Sequence, residues 1–384
     1  MRPHERGPGV RGRAALADKT PARSKGRTDS AGAPPRQPRF DVVGLGALNL
    51  DHLYAVPQLI QDGGVEVLTS SAQPGGSAAN TIYALAKLGL RCGFVGVVGD
   101  DDAGKVLLDS FKEVGVETSG IRVQPGTATG QTVCITAGQG QKAIYIVPGA
   151  NNLLNADEVD PSYLGDARYV HISSFVGQDA FSQQSQIVEK LPSHAKLSFA
   201  LDTLYARRGL GATQRLLSRC ALLFANAEEL QELTGEDPPA AARTCLEFGC
   251  EAVVVTFGAG RSQKRGHKVT ASLIVTRRKT GRGPEFIEHT VPAPATHDGP
   301  IADTTGAGDA FAGGFLYGLL QETYSLPMCG ALGHTAAGFS LGALGARAGL
   351  PTRQELLARF DEAFGTFSRR RRKSGGLLDP LHAG

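Results

Sequence analysis

The sequence predicts a doubly wound α/β fold, a three-layer α/β/α sandwich with a mostly parallel sheet and a small β appendage. Three observations predict it. Short apolar strands alternate with amphipathic helices along most of the 384 residues, the pattern of a parallel sheet covered on both faces. Hydrophobic residues make up 41% and charged residues 20%, enough apolar material for a large core. Two segments, about 50–74 and 127–148, break the alternation and read as extended chain.

The first strand begins at Phe40, in Phe-Asp-Val-Val-Gly-Leu-Gly. Alternation at Val65-Glu66-Val67 marks extended structure before Pro74. From Ser77 the period changes: Ala78, Ile82, Leu85 and Leu88 recur at three and four residues, and Gly89 ends the helix. Phe94 to Val98 is a strand and Gly104 to Val114 a helix. Gly130 to Val147 reads as two strands joined at Gly138-Gln139-Gly140. Further buried strands fall at Tyr169–Ile172, Leu197–Leu201, Leu222–Phe224 and Ala252–Phe257. After Gly306 a helix presents Phe311, Phe315 and Leu319 on one face.

Charge is unevenly placed. The net value is +3, yet residues 1–39 hold ten Lys or Arg against Glu5, Asp18 and Asp29. The rest of the chain is therefore acidic, which argues against a nucleic-acid partner. Residues 1–38 read as a solvated, disordered basic arm rich in Pro, Gly and Arg, and 367–384 as a flexible tail. No run of about 18 apolar residues appears, which predicts no membrane partner. The six cysteines form no CxxC and most sit in apolar runs, so reduced thiols and a cytoplasmic location are expected.

Three glycine-rich pieces compete for a nucleotide. Gly44-Leu-Gly46-Ala-Leu-Asn49 is a broken dinucleotide fingerprint with no helix to follow it. Gly99-Asp-Asp-Asp-Ala-Gly104-Lys105-Val106 matches GxxxxGK but lacks the hydroxyl that holds magnesium, and its acids suit the start of a helix instead. Asp303-Thr-Thr-Gly306-Ala307-Gly308-Asp309 opens a helix with small residues, so backbone N–H groups can gather on an anion. A carboxylate beside an anion site suits phosphoryl transfer, which needs a base there.

This third piece, continued through Ala-Phe311-Ala-Gly-Gly-Phe315, resembles the C-terminal signature of the PfkB/ribokinase family of carbohydrate kinases. Pro74-Gly75-Gly76-Ser77-Ala78-Ala79-Asn80 resembles the family's Gly-Gly substrate motif, and Asn49-Leu-Asp51-His52 its strand-end acid. Asn226-Ala-Glu-Glu229 is similar to its NxxE element. The agreement spans roughly residues 40–355 in order, inside a kinase domain drawn at 39–366.

The resemblance implies a ribokinase-like fold whose appendage is a lid hinged at Gly75-Gly76, and an ATP-dependent kinase acting on a hydroxyl of a sugar. It implies Asp309 as general base, with Gly306, Ala307 and Gly308 as anion hole. Asp51, Gly75, Gly76 and Asn80 would hold the acceptor. Asn226, Glu229, Thr256 and Gly258 would serve ATP, with Glu229 reaching Mg2+ through water. Asp303 and Thr305, with the Gly345-Ala346-Arg347 loop, would bind K+. A homodimer through the lid is also implied.

Departures bear on the substrate. Ser77 stands where a ribokinase carries Lys, and Ser173-Ser174-Phe175 where some relatives place a ribose-binding acid. The adenine-side motif is offset by one, with Arg261 at an expected glycine. A nucleoside kinase, with Tyr54 and Phe175 as a shelf for a base, and a catalytically silent ligand sensor are the rivals. Arg207 and Arg208 read either as holders of a sugar phosphate or as a solvated charge pair. Ordinary roles also exist for Asp309 as a helix cap, Asp51 as a loop acid and Asn80 as a surface amide.

Overall fold

The computed structural model describes residues 38–137, 141–262, 269–281, 283–293 and 301–368. The expected basic arm (apart from Pro38), the Gly138-Gln139-Gly140 joint and the tail beyond Ser368 lie outside these residues. Strands and helices are numbered along the chain.

In the main sheet, β1 (Phe40–Leu45) lies between β4 (Cys92–Gly99) and β8 (Ala167–Ile172), parallel to both. Outside β4 is β5 (Ile121–Gln124). Beyond β8 follow β9 (Lys196–Ala200), β10 (Cys220–Asn226) and β11 (Ala252–Ser262), all parallel. Two antiparallel strands that the alternation did not predict, β12 (Val269–Thr280) and β13 (Gly283–Pro292), extend that edge. The exposed half of this hairpin carries Arg277, Arg278 and Glu285, which breaks the apolar runs that mark a buried strand.

The strands alternate between two cores. Along β10, Leu223 and Ala225 face one and Leu222 and Phe224 the other. The first core packs against α3 (Pro161–Gly165), α4 (Gln178–Glu189), α5 (Thr203–Ala206), α6 (Gly209–Leu217), α7 (Ala227–Thr234) and α8 (Pro238–Glu247). The second packs against α1 (Ser77–Lys87), α2 (Asp102–Glu113), α9 (Ala307–Leu320), α10 (Leu326–Ser340) and α11 (Arg353–Ser368). This is the three-layer sandwich. Among the described residues, no helix is long and apolar enough to cross a membrane.

A second sheet of four strands carries the order β3 (Thr69–Gly75), β2 (Asn49–Ala55), β6 (Gly130–Thr136), β7 (Lys142–Val147). Only β2 and β6 run parallel. It grows from the C-terminal end of β1 and hands the chain directly into α1, so Gly75 and Gly76 are its junction with the body. The chain leaves β1 toward β4 on one side and returns beside it as β8 on the other. Such a switch point opens a crevice outside the strand ends, the usual place for a ligand in this architecture.

The acids of Gly99–Gly104 belong to a helix cap. Asp101 accepts bonds from Gly104 N–H at 2.9 Å, Thr129 N–H at 2.9 Å and Thr129 O–H at 2.6 Å, so one carboxylate starts α2 and pins the lead into β6. Burial opposes its ionisation, but these bonds outweigh burial and hold its carboxyl below the usual range. Asp101→Ala removes all three and is expected to cost about 2 kcal/mol, read as a lowered midpoint in urea denaturation.

Candidate active site

Two helix starts meet at the crevice. Gly306 caps α9 with a left-handed backbone (φ 76°), and a Cβ there would stand 2.5 Å from that of Ala346. Only glycine fits both the turn and the neighbour. Among the described residues, the N–H groups of Gly306 and Gly308 find no protein acceptor, whereas Ala307 N–H reaches back to Thr304 O at 3.3 Å. A Cβ on Gly308 would meet open space. The anion hole expected from three N–H groups thus has two without a protein partner.

Asp309 sits in the first turn of α9, part-buried, facing the start of α1. Ser77 O–H donates to its Oδ1 at 2.7 Å and Asn80 Nδ2 to its Oδ2 at 2.9 Å. Thr81 O–H donates to its backbone carbonyl at 3.3 Å. Asp309 makes no capping bond in α9; its carboxylate is held by another helix. Burial pushes it up to about 6; the Asn80 and Ser77 bonds pull the other way, and the charge of Asp51 adds to the rise.

Asp51, on β2, points at the junction glycine: a Cβ on Gly75 would fall 1.9 Å from Asp51 Oδ2. Burial raises Asp51 to about 6 as well, partly offset by Thr132, Arg347 and Lys142. Gly76 adopts φ 99° against Ala47 O. The structure therefore brings Asp51, Gly75, Gly76, Asn80 and Asp309 together.

Asp303 organises the approach to α9. It accepts from Thr305 N–H at 2.9 Å, Thr305 O–H at 2.8 Å and Gly345 N–H at 3.0 Å. Burial works against its charge, but these bonds and nearby Lys142 outweigh it and lower its pKa. Lys142, at the start of β7, donates to Thr305 Oγ at 2.8 Å, joining the small sheet to this loop.

The residues around β10 and β11 share no hydrogen bond with this group among the described residues. Asn226 and Glu229 form a reciprocal cap on α7, at 2.7 and 2.8 Å. Burial raises Glu229 to about 7, with Asp202, Glu228 and Asp309 adding to the rise. Thr256 and Gly258 lie on β11 where its register with β12 shifts; Gly258 has φ 56° and open space beside it. Among the described residues, no three His, Cys, Asp or Glu side chains cluster as a direct metal site.

A match to the pfkB family of carbohydrate kinases runs over residues 39–353. The chain belongs to that family. It is 33% identical to an uncharacterized sugar kinase of Archaeoglobus fulgidus, over 70% of this chain and 98% of the relative. A ribokinase of Thermotoga maritima has the same fold, with TM-score 0.70 and 22% identity over 84% of this chain and 99% of that one. Arabidopsis thaliana ribokinase, solved with ribose and ATP, gives TM-score 0.67 at 23% identity, over 84% and 98%.

In this pfkB-family kinase, several site residues escape sequence reasoning. Ser77 stands out only as a departure from a pattern, yet it bonds Asp309. Asp202 takes a bond from Ser174 O–H and caps Tyr205 N–H at 3.1 Å; no spacing marks it. Arg347 was expected only as part of a K+-binding loop, but its guanidinium bonds Asn80, Ser110 and Gly75. Arg207 leans toward Glu232 at 3.7 Å, and Arg208 stacks on Phe181 at 4.4 Å and bonds Gly177 O at 3.0 Å. Both arginines thus take local roles. Phe175 is 1% exposed, so half of the expected aromatic shelf belongs to the core.

Gly306→Ala tests the tight start of α9. The strained backbone and the Ala346 collision are expected to cost about 1–3 kcal/mol, read as a lowered midpoint in thermal melting.

Proposed function

We propose that the enzyme transfers the γ-phosphoryl group of ATP to a hydroxyl of a sugar, with Asp309 as the general base. The observation that carries the reading is the setting of Asp309: a carboxylate raised to about 6, aimed by Ser77 and Asn80, and one turn from the N–H groups of Gly306 and Gly308. A base in that setting is ionised at neutral pH yet basic enough to take the acceptor proton, worth about 10²–10⁴-fold. Gly306 and Gly308, with Ala307 at their centre, supply donors for charge developing on the transferred group.

Asp51, Gly75, Gly76 and Asn80 hold the acceptor in this reading, and the Ser77 hydroxyl on Asp309 Oδ1 marks where an acceptor hydroxyl would compete for the carboxylate. The ATP of the Arabidopsis relative supports the donor. Thr256 and Gly258 border the open register shift of β11, where a base has room. The sheet of β2, β3, β6 and β7 acts as the lid, and the Lys142–Thr305 bond is the contact a closed lid would make.

Magnesium, held by Glu229 through water, would supply positive charge to offset that of the phosphates. The half-buried Glu229, raised to about 7 near Asp202 and Asp309, fits a cation held through water, since its Oε2 is already committed to the α7 cap. Potassium at Asp303 and Thr305 competes with the bonds those groups make to each other and to Gly345. A lid-to-lid homodimer has support in the exposed run Ile144, Tyr145, Ile146 and Val147. The nucleoside reading keeps Tyr54 but loses Phe175.

The test is ADP release with ATP and magnesium against hexoses, pentoses, sugar phosphates and nucleosides, with and without potassium. Asp309→Asn should lower kcat at least 10²-fold while ATP binding is kept; unchanged turnover would remove the base, and a silent sensor would show none in either protein. Because the base must be ionised, kcat/KM should rise with pH through about 6 and level above it. Ser77→Ala deletes one bond to the carboxylate and should move that limb upward, read from the same pH series.

A further inference from the structure

Arg347 is buried, 8% exposed, in the loop after α10. None of the ion pairs among the described residues includes it. Its acceptors are neutral and come from three separate segments: Asn80 Oδ1 at 2.8 Å, Ser110 Oγ at 3.0 Å and Gly75 O at 3.3 Å. The rings of Tyr83 and Phe111 flank it, with the guanidinium carbon 5.0 and 5.4 Å from their centroids. Burial lowers its pKa to about 10, still far above neutrality. A buried cation without a directly bonded anion is costly, so its placement calls for a role.

The hydrogen bonds supply one. A guanidinium only donates, so Arg347 Nε must face the oxygen of the Asn80 amide. That leaves the Asn80 nitrogen facing Asp309 Oδ2, as found at 2.9 Å. A flipped amide would set its oxygen against the carboxylate. The same guanidinium holds the carbonyl of Gly75, the last residue of β3. Neighbouring Gly345 lies under Gln73 of that strand and donates to Asp303.

We propose that Arg347 is a positioning residue for phosphoryl transfer: through Asn80 it holds Asp309 oriented as a base, and through Gly75 it ties that orientation to the end of the small sheet. The proposal rests on the reading of Asp309 as the base. The charged groups that bear on Asp309 are Asp51 from β2, Glu229 from the start of α7 and Arg347 itself; Ser77 and Asn80 are neutral. Loss of Arg347 removes the one cation among these and frees the amide, and both effects make Asp309 harder to ionise.

The test uses the full chain as wild type, Arg347→Met, Arg347→Lys, Asn80→Ala and the double variant Arg347→Met/Asn80→Ala. The Asp309 titration is followed by carboxyl carbon NMR, its signal identified by its loss in Asp309→Asn, and kcat is measured in parallel with melting temperature. Folded Arg347→Met should titrate at Asp309 above the wild-type value of about 6 and lose about tenfold or more in kcat. Arg347→Lys, which keeps the charge without the fork, should fall between. It carries the test alone if the Met variant does not fold. The double variant should be no slower than the slower single variant, because both act on one link. An unmoved Asp309 titration in a folded variant, or losses that multiply, would overturn the proposal. A shifted titration in a chain whose wild type transfers no phosphoryl group would uphold the link and remove the base reading instead.

Discussion

The site depends on one carboxylate held by a helix other than its own. Asp309 lies at the beginning of α9, but its two oxygens are occupied by Ser77 and Asn80 of α1, some 230 residues earlier in the chain. The two helices must therefore cross at a fixed height. The Thr81 bond to the Asp309 carbonyl and the apolar contact of Ile82 and Leu85 with the core around Phe311 and Phe315 hold that crossing. The small sheet enters at the same point, because α1 starts where β3 ends. The small sheet, the Gly306–Gly308 loop and Asp309 share a single junction.

Fold legibility followed burial. Strands such as β10 and β11, covered on both faces, appear as unbroken apolar runs. The β12–β13 hairpin was lost because only part of it is buried, so charged residues interrupt its pattern. The motif glycines were legible for the same reason that they are needed: Gly306 and Gly76 have backbones that other residues resist. Ser77, Asp202 and Arg347 were not. Each acts through a partner remote in sequence, Asp309 for the first, Ser174 for the second and Asn80 for the third, and no local spacing encodes such a pairing.

Polar groups here serve two purposes at once. Asn226 and Glu229 cap α7, and Glu229 is left half-buried, close enough to Asp309 for the charge of Asp309 to raise its pKa. Asp202 caps α5 and faces the same region. Helix starts at the C-terminal edge of a parallel sheet supply N–H groups for anions, and the acids that cap them remain near the anion once it is bound. The charges of Asp202 and Asp309 add to burial in making Glu229 harder to ionise.

All six thiols are buried, five of them in the two cores of the main sheet and one, Cys134, on β6 of the small sheet. The chain thus contains its own clock for two kinds of opening. A thiol reagent meets Cys134 when the small sheet lifts or frays, whereas Cys92, Cys220, Cys245, Cys250 and Cys329 become reachable only as the sandwich itself comes apart. Labelling kinetics would separate the motion of the sheet from the unfolding of the body without any engineered probe.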